Sequence, residues 1–203
     1  MNTIILDDII RIVKTFNRIG ISVSGGFDSA LLSYLIFETR AELGTDNIVE
    51  FFTVPRYDDS VIHAKRIIDF IDGRFNIGAY STHTIVGNPD IHHSLQVDSG
   101  LREMLACDRL DIILAGENIV PPEDEVPGGP IRYRGKPAKL YKPFFDYTKD
   151  VIIQLAIDKN LTEVMELSHT CTESKMYRCG NCWQCKERAW AFRQCNYTDP
   201  GTM

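Results

Sequence analysis

A run of β-branched and small residues, Ile19 to Val23, stops at Ser24-Gly25-Gly26, and a helix-forming run begins at Ser29. This is a strand, a tight turn and a helix N-terminus. It commits the first third of the chain to a βα unit, and so to a sheet that needs crossovers. The turn's backbone N–H groups and the positive end of the helix dipole form an anion site. Gly25 and Gly26 allow a tight bend and close approach of a ligand, while Ser24 and Ser29 add hydroxyl donors. Asp28 is a carboxylate in a loop suited to phosphate, so it reads as a partner for Mg²⁺ or an oriented water. An ordinary capped βα turn is the plain alternative. The full Ser-Gly-Gly-x-Asp-Ser string, set before a long amphipathic helix, favours nucleotide binding.

The rest of the chain repeats the unit. Ile48 to Val54 reads as a buried strand ended by Pro55, and Asp58, Asp59 or Ser60 caps a helix through about Ile71. Ile77 to Val86 is a third strand, Gly87-Asn88-Pro89-Asp90 a turn, and Ser94 to Cys107 a helix. Asp111 to Ala115 is a fourth strand, stopping at Gly116. Four alternations predict an α/β fold, a doubly wound parallel sheet with ligand at the strands' C-terminal ends. Val54 and Gly116 fall at that rim and join the first loop as candidate nucleotide-binding residues. The rim glycines also serve as plain chain-reversal residues. Ahead of strand one, Ile9, Ile10, Ile12, Val13 and Phe16 mark an amphipathic helix, with Asp7 and Asp8 as its N-cap and first-turn acids. Its apolar face suits a homodimer as readily as the core.

Residues 117–140 break the pattern with Pro and Gly, three acids (Glu123, Asp124, Glu125) and then Arg132, Arg134, Lys136 and Lys139. Such a stretch is a lid or binding loop, or else a linker. Its basic cluster either clamps an anion or is a solvated run. Thr148 then caps a helix over Lys149 to Lys159. Lys149 sits at the helix start, where a cation is electrostatically out of place. It is either an exposed lysine or one turned toward phosphate.

The chain has 203 residues, 44% hydrophobic and 25% charged, with a net charge of −6. That is enough for one α/β domain and a small appendage. We read residues 1–165 as the nucleotide-binding domain and 166–203 as a C-terminal metal-binding region. The acidic balance argues against a broad nucleic-acid face, tRNA included. The apolar runs are too short for a bilayer and the N-terminus lacks a positive n-region, so a soluble, cytoplasmic protein is expected. Five of the six cysteines lie from residue 171 onward. The run Cys171-x₇-Cys179-Gly-Asn-Cys182-Trp-Gln-Cys185 suits tetrahedral Zn²⁺ as a closed, structural site; an iron–sulfur cluster also accepts four thiolates. Arg178, Lys186 and Arg188 would offset excess thiolate charge. Cys107 and Cys195 are left as packing residues or free thiols. Trp183, Trp190 and Phe192 follow at helical spacing and read as core contacts.

The loop resembles the PP-loop of the ATP pyrophosphatases, which adenylate a substrate and release pyrophosphate; no Gly-Lys-Ser/Thr follows, as a Walker A loop would require. Loop and knuckle together resemble the 7-cyano-7-deazaguanine synthase (QueC-like) family over most of the chain. The carrying segments are Cys179-Gly180-x-Cys182-x-x-Cys185-x-x-Arg188-x-x-Ala191-Phe192, and Pro143 to Lys149 with Ser168-His169-Thr170-Cys171 after the intervening helix. The resemblance implies an adenine nucleotide alpha hydrolase-like, Rossmann-like fold with a zinc knuckle. It also implies an ATP-dependent ligase joining ammonia to a deazapurine acid, 7-carboxy-7-deazaguanine, to give the nitrile preQ0 or an amide. Ser24, Gly25, Gly26, Asp28 and Ser29 would hold phosphate and Mg²⁺, with Asp28, Ser29 and Lys149 catalytic. Cys171, Cys179, Cys182 and Cys185 would bind Zn²⁺. The chain departs from the family in three places. Val54-Pro55-Arg56-Tyr57 stands for a Tyr-Gly-Gln turn. Gly87-Asn88-Pro89 stands for Gly-Arg-Asn. After strand four, Glu117-Asn118 and Pro121-Pro122-Glu123-Asp124 replace an Asp and a Tyr-Pro-Asp-Cys stretch. These changes imply a divergent member acting on a related or different acid. The alternatives are a tRNA-thiolating PP-loop enzyme, with Cys107 or Cys195 as the sulfur acceptor, and a non-catalytic nucleotide-binding relative.

Overall fold

The computed structural model describes residues 2–88, 90–91, 93–132 and 138–201. Pro89, Arg134 and Lys136, named above in the turn and the basic cluster, lie outside the described residues.

Each apolar run forms its strand: β1 (Arg18–Ser22), β2 (Ile48–Thr53), β3 (Ser81–Ile85) and β4 (Ile112–Ala115). A two-residue β5 (Leu140–Tyr141), too short to leave a pattern, completes an all-parallel sheet of order β3-β2-β1-β4-β5. The doubly wound parallel sheet is therefore present. The helices are α1 (Asn2–Thr15), α2 (Phe27–Leu43), α3 (Ser60–Phe75), α4 (His93–Leu105), α5 (Lys149–Asp158), α6 (Thr162–Leu167) and α7 (Trp183–Gln194).

Alternation along the strands sorts side chains onto two faces. Ile19, Ile21, Val49, Phe51, Ile112 and Leu114 enter the large core with α1, α2, α3, α5, α6 and α7. Phe52 and Ile113 enter a smaller core with Met104 of α4. The chain winds outward from β1 through β2 to β3 with α2 and α3 on one face. It returns past β1 to β4 through α4 on the other. The winding direction reverses between β1 and β4, and the crevice at their C-terminal ends is where such sheets bind ligands.

Three expectations change. The first helix starts at Asn2, so Asp7 and Asp8 lie within it. Asp8 instead pairs with Arg11 (2.5 Å) and accepts from the Tyr141 hydroxyl (2.7 Å). α2 is buried nearly all round, from Phe27 to Thr39, because it is sandwiched between the sheet and α1, α3, α5 and α6. The third strand is shorter at its start, since Tyr80 N–H closes a turn onto the Ile77 carbonyl (2.8 Å). On α1, Ile9, Ile12 and Val13 are buried in the core of this chain.

The C-terminal region shares that core. Trp190, Ala191 and Phe192 of α7 are buried in it and Trp183 packs at its edge, as their helical spacing implies. Arg178 and Arg188, expected to offset thiolate charge, both pair with Asp199, and Arg178 also interacts electrostatically with Cys185. Arg188 is 1% exposed; its Nε and Nη2 donate to the two Asp199 oxygens (2.8 and 2.9 Å). The same guanidinium donates to the Met165 carbonyl (2.7 Å) and to the Ser168 hydroxyl (2.7 Å). One buried fork thus ties the end of α6 and the residues after it to the tail.

Burial alone would raise the Asp199 carboxyl, but the two guanidinium groups hold it below its ordinary value of 3.8. Asp199→Ala leaves both cations uncompensated and is expected to cost about 3 kcal/mol in urea unfolding at neutral pH. A carboxyl depressed in the folded state stabilises above its unfolded value, and that stabilisation is lost as pH falls through the folded one. The deficit of the variant is therefore constant near neutrality and shrinks below about pH 4. An absent deficit at neutral pH would contradict the clamp.

Candidate functional site

The first loop closes β1 at the crevice. Ser29 sits one turn into α2 and its hydroxyl donates to the Gly26 carbonyl (3.0 Å) while accepting from Ser24 N–H (3.2 Å). Gly26 N–H donates to the Ser24 hydroxyl (3.3 Å). Gly26 is the N-cap and no side chain caps α2, so the helix's positive end is left for a ligand. Gly25 has a φ of 78°, and a Cβ there would lie 2.3 Å from the Cβ of His63. Its carbonyl accepts from His169 N–H (2.8 Å), which joins the loop to the segment leading into the cysteines. The His63 and His169 rings stack at 4.0 Å beneath it. Gly116 closes β4 against the same helix: a Cβ would meet Ser29 N at 2.7 Å and the Asp28 carbonyl carbon at 2.7 Å. A side chain at 116 would push the loop off the sheet edge.

A cavity of about 290 Å³ opens there, lined by Ser24, Gly26, Asp28, Ser29, Gly116 and Lys149 among others. Gly25 stands behind the loop, contributing backbone geometry. Val54 lies at the rim, but its side chain packs with the small core under α4, outside this cavity.

Lys149 is buried at 3% exposure, which removes the reading of it as an exposed lysine. Its Nζ lies 3.0 Å from Asp28 Oδ2 and 2.8 Å from Glu187 Oε2. Burial works to neutralise the amine, but Asp28 and Glu187 outweigh it and the value rises, so Lys149 stays charged. Asp28 moves upward because burial dominates, opposed by Lys149 and reinforced by Glu187. Its Oδ1 is buried without a partner among the described residues, and Asp28 as a residue lines the cavity. A spare carboxylate oxygen beside a phosphate-suited loop fits a divalent cation such as Mg²⁺.

One contributor, Glu187, was not singled out by sequence, while Arg132 was named there in the basic cluster and Asn118 and Trp183 in other settings. Glu187, fully buried on α7, also accepts from Asn118 Nδ2 (3.1 Å) and lies 3.5 Å from Arg132. Arg132 donates to Asn118 Oδ1 (2.5 Å), so the first part of the long loop is pinned over the cavity. Trp183 fastens that loop again through its indole N–H to the Val126 carbonyl (3.4 Å). The legible signal for Glu187 was a carboxylate on the apolar stripe shared by Trp183, Trp190 and Ala191.

The four cysteine Sγ atoms of Cys171, Cys179, Cys182 and Cys185 lie within 4.8 Å of one another. Four thiolates around one zinc at about 2.3 Å would sit about 3.8 Å apart, so a small inward shift forms a tetrahedral shell. Cys182 N–H and Asn181 N–H donate to Cys179 Sγ (3.2 and 3.4 Å), and Cys179 N–H donates to Cys171 Sγ (3.5 Å). The two bonds onto the Cys179 sulfur, that from Cys182 first, draw its thiol down to about 7. The donor set fits a metal. Cys195 donates instead to the Asp150 carbonyl (3.2 Å) and Cys107 packs against the small core, so neither lines the cavity.

Residues 128–196 match the family model described as "Queuosine biosynthesis protein QueC". A 58-residue stretch is 36% identical to the 7-cyano-7-deazaguanine synthase of Prochlorococcus marinus subsp. pastoris; it covers 29% of this chain and spans only 25% of that relative. Among solved structures, the NH3-dependent NAD synthetase of Campylobacter jejuni aligns at TM-score 0.52 and 20% identity, over 80% of this chain and 73% of that one. The NMN synthetase of Francisella tularensis aligns at 0.56 and 10% identity, over 98% and 87%. The U34-tRNA thiolase NcsA of Methanococcus maripaludis, solved with its [4Fe-4S] cluster, aligns at 0.51 and 13% identity, over 95% and 73%. At these identities the structures establish the fold alone.

Glu187→Ala would leave Lys149 and Arg132 facing each other with only Asp28 between them. We expect a loss of about 3–5 kcal/mol in urea unfolding. Glu187→Gln keeps the bond to Asn118 and should fall between the two. A wild-type midpoint for Glu187→Ala would mean the cluster is not held in solution.

Proposed function

We propose that this divergent QueC-like chain of the PP-loop fold is an ATP-dependent adenylating ligase, converting 7-carboxy-7-deazaguanine and ammonia to 7-cyano-7-deazaguanine or stopping at the amide. The observation that carries the reading is the cavity at the β1/β4 reversal. There an uncapped helix N-terminus, a spare Asp28 oxygen and a buried, charged Lys149 converge. The match of residues 128–196 to the QueC model supports the choice of acceptor.

A carboxylate resists amination because oxide is a poor leaving group. Attack of its oxygen on the α-phosphate forms an acyl phosphate bond, breaks the α–β bridge and releases pyrophosphate. Ammonia then attacks the acyl carbon, AMP leaves with its electron pair, and one proton is lost to give the amide. A second adenylation on the amide oxygen allows AMP to leave as the nitrogen gives up its protons, yielding the nitrile. The loop N–H groups, Ser24 and Ser29 would hold the phosphates, with Lys149 and Arg132 spreading the developing charge. Asp28 would hold Mg²⁺, which supplies charge neutralisation on pyrophosphate. The cysteine set would hold a structural Zn²⁺, since four thiolates leave no open position.

The thiolase alternative shares the fold and a four-thiolate site could carry an iron–sulfur cluster. The positions of Cys107 and Cys195 away from the cavity weigh against it.

Incubation with ATP, Mg²⁺, ammonium and the acid, followed by mass spectrometry, is expected to give nitrile or amide with AMP and pyrophosphate. Asp28→Ala should reduce turnover by at least about 100-fold, the scale of losing one transition-state contact, while keeping the fold. ADP as the by-product, retained turnover in Asp28→Ala, or retention of tRNA on a filter in place of acid turnover would each overturn the reading. Metal analysis should return one zinc per chain, and chelation should expose residues 166–201 to protease.

A further inference from the structure

Lys149 is held by two carboxylates whose surroundings differ. Asp28 Oδ2 lies 3.0 Å from its Nζ and Glu187 Oε2 lies 2.8 Å from it. Asp28 stands in the first turn of α2, beside the phosphate-suited loop, and its other oxygen has no partner among the described residues. Under the adenylation reading Mg²⁺ would draw on that carboxylate, leaving less of its charge for Lys149. Glu187 has no second task of that kind. It is fully buried at the inner wall of the cavity, and its charge makes it a poor direct contact for phosphate.

The two oxygens of Glu187 divide two cations between them. Oε2 takes Lys149 of α5, while Oε1 accepts from Asn118 Nδ2 (3.1 Å) and faces Arg132 of the long loop at 3.5 Å. Arg132 is steadied from its other side. It donates to Asn118 Oδ1 (2.5 Å), and its guanidinium lies over the Trp183 ring at 5.4 Å. Glu187 is itself anchored through the next residue, because Arg188 is tied to Asp199, to the Met165 carbonyl and to the Ser168 hydroxyl. Lys149 and Arg132 repel each other, and both line the nucleotide cavity. A fixed anion in contact with both keeps them at one wall with a set spacing. An ammonium has three donors; two point at carboxylates here, which leaves one for a ligand.

We propose that Glu187 is a positioning residue for the phosphate chain of the nucleotide: it sets the spacing of Lys149 and Arg132, and it retains Lys149 when Asp28 is engaged by a cation. The proposal rests on the reading of this cavity as the site that holds ATP for adenylation. Glu187 touches no reacting atom and acts only through the two cations. The consequence is a sign. Taking a negative charge from the wall of an anion site should, by electrostatics alone, tighten the binding of anions. Loss of a positioning anion does the reverse, because the two cations separate and no longer meet the phosphates together.

The test titrates the full chain by calorimetry with inorganic pyrophosphate and with ATP, each with and without Mg²⁺, under conditions where urea curves show every variant folded. Glu187→Gln keeps the shape and the acceptor for Asn118. Its affinity for both probes is expected to fall at least about tenfold, the scale of one charge-assisted contact. The fall should be of like size with and without Mg²⁺, whereas Asp28→Asn should lose chiefly the Mg²⁺-dependent part. In a Lys149→Met background, Glu187→Gln should cost no more than about threefold, since one of the two groups it acts through is already gone. Glu187→Asp, which keeps the charge and so is the variant least prone to unfold, draws the anion back by one methylene and should also bind more weakly than wild type. Unchanged or tighter binding in Glu187→Gln, wild-type affinity in Glu187→Asp, or full additivity with Lys149→Met each overturns the role of Glu187 and leaves the adenylation reading standing. Wild type that binds neither pyrophosphate nor ATP sinks that reading and the role with it.

Discussion

Four charged side chains from four separate parts of the chain meet at the wall of the cavity: Lys149 at the start of α5 and Glu187 on α7 are buried, and Asp28 at the start of α2 and Arg132 from the long loop are partly so. Their formal charges cancel. Neither Lys149 nor Glu187 is tolerable alone at that depth, because an unpaired buried ion costs several kcal/mol. The cluster therefore acts as a condition on assembly. The loop, the two helices and the tail must all dock for any of them to be satisfied. Such a cluster is weak evidence for net stability. Its use lies in specification, since it fixes where a cationic nitrogen and a carboxylate oxygen stand relative to the phosphate-suited turn.

The sheet supplies the other half of that placement. Reversal of winding between β1 and β4 leaves their C-terminal ends uncovered, and Gly116 lets α2 come within contact distance of the β4 edge. The helix dipole, the loop hydroxyls and Lys149 then point into one crevice. Lys149 begins α5 in spite of the unfavourable dipole because two carboxylates from other elements receive it.

Much of this was legible in the sequence. Strand-like runs of five to ten residues, punctuated by glycine and proline, pointed to β1 to β4 and to the doubly wound order that follows from alternation. The Ser-Gly-Gly-x-Asp-Ser string located the crevice, and the cysteine spacing located the thiol cluster. The misses share a physical cause: each depends on partners distant along the chain. β5 is two residues long and exists only because β4 lies beside it. The all-round burial of α2 reflects its neighbours, as its own pattern does not distinguish one covered face from three. Arg188 looked like a counter-charge for thiolates because it flanks them, whereas it forks onto Asp199, which Arg178 meets as well. Glu187 lay hidden among the signature residues of the knuckle, its partners 38 and more positions away in the chain.

The tail joins the thiol cluster to the crevice through very few covalent steps. Cys182 is the N-cap of α7, Cys185 lies in its first turn, Glu187 follows two residues on, and Arg188 is next. A metal drawn into the four sulfurs would therefore fix the start of the helix whose next residues receive Lys149 and Asp199. On the other side of the cluster, His169 N–H holds the Gly25 carbonyl two residues before Cys171. The thiol site stands between the two attachments, so ordering it orders both the base of the phosphate loop and the carboxylate beneath it. A closed structural site placed there would account for a four-thiol cluster so near the crevice. Its contribution would be rigidity, delivered to groups whose positions matter to within a hydrogen-bond length.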